Sequence, residues 1–299
     1  MRLSKYVGNT PLIPIKLGEY TVWGKCEFMN PGGSVKDRMA TYILNDAERR
    51  NSIKKGDTLI EATSGNTGMA FAMLAAERGY NIKIVMPSNM SEERKQMLKF
   101  YGADLIQVEA GDFDGAIAMR DELAKAKGWF NCNQFHNPLN MEAHYTTTGP
   151  EINKQFRSGK GPTQTFRTLD AFIAGTGTGG TIMGAGKYLQ QKFPGCQLVA
   201  VEPTESAVMS GGESGLHGIQ GIGDGSKFLV DLNKINAIRT VSTECAKKVA
   251  KRLATKYGLF VGISAGANVM ASFQWLRDNN KRNAATILCD RGERYLSCL

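Results

Sequence analysis

Residues 171–181 read Ala-Phe-Ile-Ala-Gly-Thr-Gly-Thr-Gly-Gly-Thr, an apolar run followed by a loop rich in glycine and threonine. The apolar run predicts a buried β-strand, and the pattern after Thr181 predicts an α-helix. Glycines let a ligand approach the backbone closely, and the free N–H groups at the start of a helix attract anions. The stretch therefore favours a phosphate-binding loop over a plain tight turn.

The same order of strand, polar corner and helix recurs along the chain. Short apolar runs predict buried strands at residues 58–62, 82–86, 105–108, 171–174, 197–201 and 285–289. Amphipathic patterns predict helices at residues 34–50, 66–77, 91–101, 114–126, 181–191, 246–257 and 265–278. Ser91, which two glutamates follow, is expected to cap the third of these helices. Strands that alternate with helices form parallel sheets covered on both faces, so we expect an α/β protein whose halves form two αβ units across a cleft.

The glycine loop alone leaves the nature of the phosphate open. Gly175, Gly177 and Gly180 also satisfy the G-x-G-x-x-G pattern of dinucleotide-binding enzymes. Glu202 ends the next predicted strand, at about the position where such enzymes bind the ribose. On these residues, an NAD-dependent oxidoreductase is an open alternative.

Two further corners between a predicted strand and a predicted helix carry polar groups. They are Thr63-Ser64-Gly65-Asn66-Thr67-Gly68 and Gly262-Ile263-Ser264-Ala265-Gly266. In the first, hydroxyls, a carboxamide and free helix amides converge, which suits a carboxylate; a helix cap explains one hydroxyl but not the whole cluster. Three such corners predict a ligand with several polar groups.

Lys36 lies in Asn30-Pro31-Gly32-Gly33-Ser34-Val35-Lys36-Asp37-Arg38, two residues after a serine that can cap the following helix. A lysine in a first helical turn is unfavourable, because that end of the helix dipole favours negative charge. One interpretation is a surface lysine paired with Asp37 or Glu27. The other is a nucleophilic lysine held in a cleft. The segment alone does not separate them.

The composition indicates a globular protein of roughly two domains, at about 150 residues each. The chain has 299 residues, of which 42% are hydrophobic and 22% charged. We expect a cytoplasmic protein, because the start lacks the apolar run of a signal peptide and no stretch is long enough to span a membrane. The scattered cysteines and histidines predict reduced thiols and no metal site. The net charge of +9 is spread along the chain, which favours a solvated surface over a nucleic-acid site.

Taken together and in order, these motifs resemble the cysteine synthase (O-acetylserine sulfhydrylase) family, which belongs to fold type II of the enzymes that use pyridoxal 5′-phosphate (PLP). The matching segments are residues 8–12, 30–38, 62–68, 134–138, 144–152, 175–181, 218–225, 262–266 and 290–297. The resemblance implies two αβα three-layer domains with mostly parallel sheets, as in the tryptophan synthase β subunit. It implies a smaller mobile domain at residues 34–140 and a larger phosphate-binding domain at residues 1–33 plus 141–299, with PLP at their interface.

The resemblance also implies which residues bind PLP. Lys36 would bind it as a Schiff base and would then remove the Cα proton of the substrate. Asn66 would hydrogen-bond the ring hydroxyl, and Ser264 would face the pyridine nitrogen. The phosphate would be held by Gly177, Thr178, Gly179, Gly180 and Thr181.

The implied reaction is a β-replacement that makes L-cysteine from O-acetyl-L-serine and sulfide. The substrate carboxylate or its vicinity would be bound by Thr63, Ser64, Asn66, Thr67 and Gln134, with Gly221 at the mouth of the site. Residues 145–150 and 289–295 resemble the B type, which also accepts thiosulfate, whereas residues 218–223 resemble the A type or the cystathionine β-synthase core. Condensation of serine with homocysteine and use of O-phosphoserine therefore stay open. The resemblance further implies a homodimer and, for the A type, docking of the C-terminal peptide of serine acetyltransferase.

Overall fold

The computed structural model describes residues 2–63, 65–158, 168–223 and 225–298. The helices are α1 (Lys36–Arg49), α2 (Asn66–Arg78), α3 (Glu92–Phe100), α4 (Phe113–Lys127), α5 (Leu139–Ala143), α6 (Gly149–Ser158), α7 (Gly180–Lys192), α8 (Thr243–Tyr257) and α9 (Ile263–Asp278). The strands are β1 (Leu12–Leu17), β2 (Tyr20–Cys26), β3 (Thr58–Ala62), β4 (Asn81–Pro87), β5 (Asp104–Val108), β6 (Phe130–Asn131), β7 (Ala171–Gly175), β8 (Gln197–Pro203), β9 (Ala237–Val241) and β10 (Asn283–Leu288). A π-helical turn, His144–Thr148, joins α5 to α6.

One compact unit comprises residues 1–7 and 30–140. Its sheet is parallel throughout, with the strand order β5-β4-β3-β6. Helices α1 and α2 share a core with Leu59 and Ile84, while α4 packs against β3 and β4 over Ile60 and Val85. The chain leaves β3 on the side of β4 and returns as β6 on the other side. The carboxyl ends of β3 and β6 therefore form a topological switch point, where open α/β sheets bind ligands.

The other compact unit comprises residues 8–29 and 141–299. Its strand order is β1-β2-β10-β7-β8-β9, with β1 antiparallel to β2 and every other pair parallel. Helix α9 packs against β2, β7 and β10, over a core that includes Ile173, Val199 and Val269. Strands β8 and β9 lie on one side of β7, and β10 lies on its other side. A second switch point therefore lies at the carboxyl ends of β7 and β10. The predicted α/β class with mostly parallel sheets is confirmed.

Two predicted helix caps differ from what the structure shows. Ser91 precedes α3, but its side chain makes no cap hydrogen bond with the described residues. The start of α3 is exposed, so water can satisfy its free N–H groups. Helix α1 begins at Lys36 with Val35 rather than Ser34 at the cap position, although the Ser34 hydroxyl accepts a hydrogen bond from the Lys36 N–H at 3.3 Å.

In the described part of the chain, no helix combines the length and the apolar composition needed to cross a membrane.

Candidate cofactor and substrate site

The corner after β3 holds residues predicted to bind the substrate carboxylate. Thr63 donates its backbone N–H to the carbonyl of Val85 at 3.0 Å, and its hydroxyl accepts from the Gly65 N–H at 3.2 Å. Asn66 is the first residue of α2, whose described first turn has neither a side-chain cap nor an acidic residue. The positive end of this helix is therefore suited to an anion. Ser64 lies outside the described residues.

Gln134 lies just beyond β6, and the pairing of β6 with β3 brings it to the same corner. Its side-chain Oε1 accepts a hydrogen bond from the Thr67 hydroxyl at 2.6 Å, and its Nε2 donates to the carbonyl of Ala62 at 3.2 Å. Both side chains are buried. The structure thus brings together two predicted substrate-binding residues that are 67 positions apart in the sequence.

Lys36 is the first residue of α1 and is half-buried rather than exposed. The loop before it is held by its own polar groups. The Gly32 N–H donates to Asp37 Oδ2 at 2.5 Å, and Asn30 Nδ2 donates to the carbonyl of Ser34 at 3.1 Å. A Cβ at position 32 would lie 2.6 Å from Asp37 Oδ1, so a larger residue would displace this carboxylate. These contacts fix the backbone from which Lys36 extends.

The glycine loop connects β7 to α7 as predicted. Gly179 has φ +86°, and a Cβ at this position would lie 2.5 Å from Val230 Cγ2. Within the described residues, the backbone N–H groups of Gly177, Gly179 and Gly180 donate no hydrogen bond, and α7 begins without a side-chain cap or an acidic residue. Several N–H donors at the positive end of a helix fit the oxygens of a phosphate group, so the loop fits PLP.

Thr181, predicted to contact the phosphate, is held by a histidine to which the sequence analysis gave no role. Nε2 of His144 lies 3.2 Å from the Thr181 hydroxyl, and Nδ1 lies 2.9 Å from the Thr148 hydroxyl. His144 is buried and opens the π-helical turn. Such turns inside α-helices are frequent at functional sites, and this signal comes only from the structure.

Ser264 is the second residue of α9 and is buried. One helical turn later, the fully buried Asn268 accepts a hydrogen bond from the Gly175 N–H at 2.7 Å. Its Nδ2 donates to the carbonyl of Ile287 at 2.8 Å and lies 3.4 Å from Cys289 Sγ. Asn268 thus joins the start of the glycine loop to the end of β10. Its role was not predicted from the sequence: a carboxamide among the small and apolar residues of Ile-Ser-Ala-Gly-Ala-Asn-Val-Met-Ala marks the residue but not its partners.

Gly221, predicted at the mouth of the site, is exposed and has φ +88°. Its neighbours are tied to the glycine loop. The Gly223 N–H donates to the carbonyl of Thr176 at 3.0 Å, and Ile222 packs so closely that a Cβ at position 175 would lie 2.7 Å from its Cγ2. Asp224 lies outside the described residues.

Glu202 does not fit the ribose-binding role of the dinucleotide alternative. Its carboxylate is buried and accepts the backbone N–H groups of Met209 at 2.7 Å and Ser210 at 2.9 Å, together with the Ser210 hydroxyl. Both carboxylate oxygens are therefore engaged in holding the loop after β8. The oxidoreductase interpretation loses the residue on which it depended.

Three buried cysteines are unsuited to nucleophilic catalysis. Burial raises the pKa of Cys26 and of Cys196 to about 12, and it also raises the pKa of Cys132. Because the thiolate is the reactive form, these three thiols are inert at neutral pH.

The chain is similar to known proteins over nearly its whole length. Residues 3–290 match the family described as pyridoxal-phosphate dependent enzyme. A cysteine synthase of Staphylococcus aureus (strain Mu50) is 40% identical over 304 residues, covering 99% of this chain and 95% of that protein. The crystal structure of O-ureido-L-serine synthase has a TM-score of 0.92 at 38% identity and covers 100% of this chain and 94% of its own. That of O-acetylserine sulfhydrylase isoform 3 from Entamoeba histolytica has a TM-score of 0.90 at 36% identity, with 99% and 90% covered.

These matches extend over nearly the whole chain and include both sheets and the three polar corners. With the phosphate-compatible loop at the start of α7, they show that the chain belongs to the pyridoxal-phosphate dependent enzyme family, in its cysteine synthase group, and that PLP is its cofactor.

Proposed function

We propose that the protein makes L-cysteine from O-acetyl-L-serine and sulfide. The observation that carries this proposal is the corner formed by Thr63, residues 65–67 and Gln134, where hydroxyl and amide groups lie beside the positive end of α2. An α-carboxylate is the group that this corner suits, and every amino-acid substrate has one. The 40% identity to a cysteine synthase over almost the full chain supports the choice of reaction.

When bound, PLP withdraws electrons from Cα of the attached amino acid, which acidifies the Cα proton and allows acetate to leave from Cβ. In our proposal the backbone N–H groups of Gly177, Gly179 and Gly180 hold its phosphate, together with Thr178 and Thr181. The contact of His144 with the Thr181 hydroxyl, at 3.2 Å, keeps that hydroxyl oriented.

Lys36 carries two roles in this proposal. Its amine would hold the cofactor covalently, and its Nζ would take up the Cα proton of the substrate as a general base. A base must be neutral to accept a proton. Lys36 lies at the start of α1, where the helix dipole disfavours a positive charge.

Asn66 and Ser264 complete the proposed contacts with the ring, Asn66 at its hydroxyl and Ser264 at its nitrogen. Ser264 is neutral, so it cannot hold the ring nitrogen protonated as a carboxylate does. Electron withdrawal from Cα is then limited, which favours loss of a group from Cβ over transamination.

The test is an assay of O-acetylserine, O-phosphoserine and serine, each against sulfide, thiosulfate, homocysteine and hydroxyurea. Hydroxyurea is included because its addition gives O-ureido-L-serine, the product named for one of the matched structures. We expect the highest kcat/KM for O-acetylserine with sulfide. Preferred turnover of serine with homocysteine would replace our proposal by cystathionine synthesis, and thiosulfate turnover would assign the B type.

We also propose a cytoplasmic homodimer whose site accepts the C-terminal peptide of serine acetyltransferase. The six cysteines are free thiols, which suits a reducing compartment. Light scattering of the purified protein measures its oligomeric state. Titration with the acetyltransferase peptide, followed by PLP fluorescence, measures docking, and unchanged fluorescence at saturating peptide contradicts it.

A further inference from the structure

Next to the carboxylate corner, two charged side chains are buried almost completely. Glu61, in β3, is 0% exposed, and Arg120, in α4, is 1% exposed. Arg120 Nη1 donates to Glu61 Oε1 at 3.0 Å. Arg120 also donates through Nε and Nη2 to Asp121 Oδ1, at 3.0 and 2.8 Å, and Asp121 reaches solvent. The buried pair is therefore anchored at its outer end by a second carboxylate.

The inner end of the pair reaches the backbone of the corner itself. Glu61 Oε1 accepts the N–H of Ala62 at 2.8 Å, and Glu61 Oε2 accepts the N–H of Gln134 at 3.0 Å. Ala62 immediately precedes Thr63, and its carbonyl receives the Gln134 side chain. The Glu61 carboxylate thus holds the segment that leads into the corner and the segment that contains Gln134. These two segments are also joined by the hydrogen bond between Thr67 and Gln134.

Burial of this pair carries a cost in desolvation. Burial raises the pKa of Glu61 although the Arg120 charge acts to lower it, so the ionised carboxylate is less favourable in the folded chain than in water. Buried ion pairs commonly gain less from their attraction than they lose in desolvation. An apolar pair of similar size would fill the same space, but it could not accept two backbone N–H groups.

We propose that Glu61 and Arg120 are positioning residues for substrate binding, which hold Ala62 and Gln134 in the register that the carboxylate corner requires. The proposal rests on the proposed function, because it takes Thr63, residues 65–67 and Gln134 as the receptor of the substrate carboxylate. Neither Glu61 nor Arg120 touches the substrate; both act through the backbone.

The test compares the wild-type holoenzyme with E61Q, R120M and E61Q/R120M. E61Q keeps the side-chain shape but leaves one acceptor oxygen for two backbone N–H groups. We expect KM for O-acetylserine to rise about tenfold, as for the loss of one hydrogen bond, with kcat changed far less. The visible band of bound PLP should not change. R120M should lower the thermal unfolding midpoint, and E61Q/R120M should recover it without recovering KM.

If the pair of Glu61 and Arg120 only stabilises the fold, KM should change together with the thermal unfolding midpoint. Both should then return toward the wild-type values in E61Q/R120M, which would contradict the proposal. A double-mutant cycle with T67V adds a second criterion. If Glu61 acts through Gln134 and Thr67, E61Q should raise KM little further in the T67V background. If E61Q raises KM by the same factor in the T67V background as in wild type, the two residues act independently and the proposal is overturned.

The matched control is E48Q. Glu48 lies in the same unit and also pairs with a buried arginine, Arg78, at 3.1 Å, but it bonds neither Ala62 nor Gln134. We expect E48Q to leave KM unchanged.

To separate this inference from the proposed function, the same variants are titrated with L-serine, and the visible spectrum reports binding without turnover. Wild type that binds serine but fails to convert O-acetylserine refutes the proposed function alone, whereas equal serine affinity in wild type and E61Q refutes the positioning role.

Discussion

Replacing Asn268 by leucine tests whether this buried carboxamide supports the glycine loop. Leucine has a similar size and removes the hydrogen-bonding groups without opening a large cavity. The Gly175 N–H, which donates to Asn268 at 2.7 Å, would lose its partner. The Ile287 carbonyl would lose the bond from Asn268 at 2.8 Å but would keep the contact with Cys289 Sγ at 3.7 Å. Because Asn268 is 0% exposed, water cannot readily replace it.

The expected loss follows from one group left without a partner and one further hydrogen bond removed. The orphaned Gly175 N–H costs about 1–3 kcal/mol and the lost bond to the Ile287 carbonyl about 0.5–1.5 kcal/mol, so we expect a decrease of about 1.5–4.5 kcal/mol in the free energy of unfolding. Since a native domain is typically stable by about 5–15 kcal/mol, urea unfolding at equilibrium will resolve this change. Reconstitution of the apoprotein should also show weaker PLP binding, because Gly175 opens the loop proposed to hold the phosphate.

The matched control is S272A, one turn further along α9. The Ser272 hydroxyl is equally buried and donates to the carbonyl of Asn268 at 2.7 Å, but that carbonyl keeps its helical hydrogen bond when the hydroxyl is removed. We expect S272A to lose less than about 1.5 kcal/mol. Equal losses in N268L and S272A, or an N268L protein as stable as wild type, would refute the reasoning.

Four further predictions follow from single positions. K36A should bind PLP weakly without the Schiff-base absorption band and should lose turnover of O-acetylserine; retained turnover would rule Lys36 out as the base. G179A should weaken PLP binding at least tenfold. G102A is its control, because Gly102 has a similar φ of +84° but open space around its Cβ. Both substitutions add a backbone strain of about 1–2 kcal/mol, yet G102A should leave PLP binding unchanged. S264D should keep PLP yet turn over more slowly, and an unchanged rate would contradict the role of a neutral ring partner. Since burial raises the pKa of Glu61, its ionisation destabilises the fold as pH rises above about 4.5, so urea unfolding should show the stability of E61Q relative to wild type increasing from pH 4 to pH 8.

Six of the strands were predictable from short, mainly apolar runs, whereas the antiparallel pair β1 and β2 was not. The predicted strand at residues 58–62 is β3, as found. The pair β1 and β2 was missed because Pro14, Gly24 and Lys25 interrupt its pattern. Lys25 is fully buried in β2, and its charge is balanced by Glu151 at 2.7 Å, far along the chain. A lysine in a core strand is stable only with such a partner, which a local pattern cannot reveal.

The parts of the candidate site also differ in whether local sequence predicts them. The glycine loop and the corner after β3 were predictable, because glycines and hydroxyls at a strand-to-helix turn have a local physical meaning. The roles of His144, Asn268 and Arg120 were not, because each depends on contacts across the fold. The sequence separation is 37 residues between His144 and its partner Thr181, and 93 residues between Asn268 and Gly175. Between Arg120 and Glu61 it is 59 residues.

The most direct test of the account is borohydride reduction of the purified yellow protein, followed by peptide mapping. Reduction fixes PLP to the lysine that carries it. The account predicts that the visible band disappears and that the label is found on Lys36. A label on another lysine, or a colourless protein that binds NAD, would contradict it.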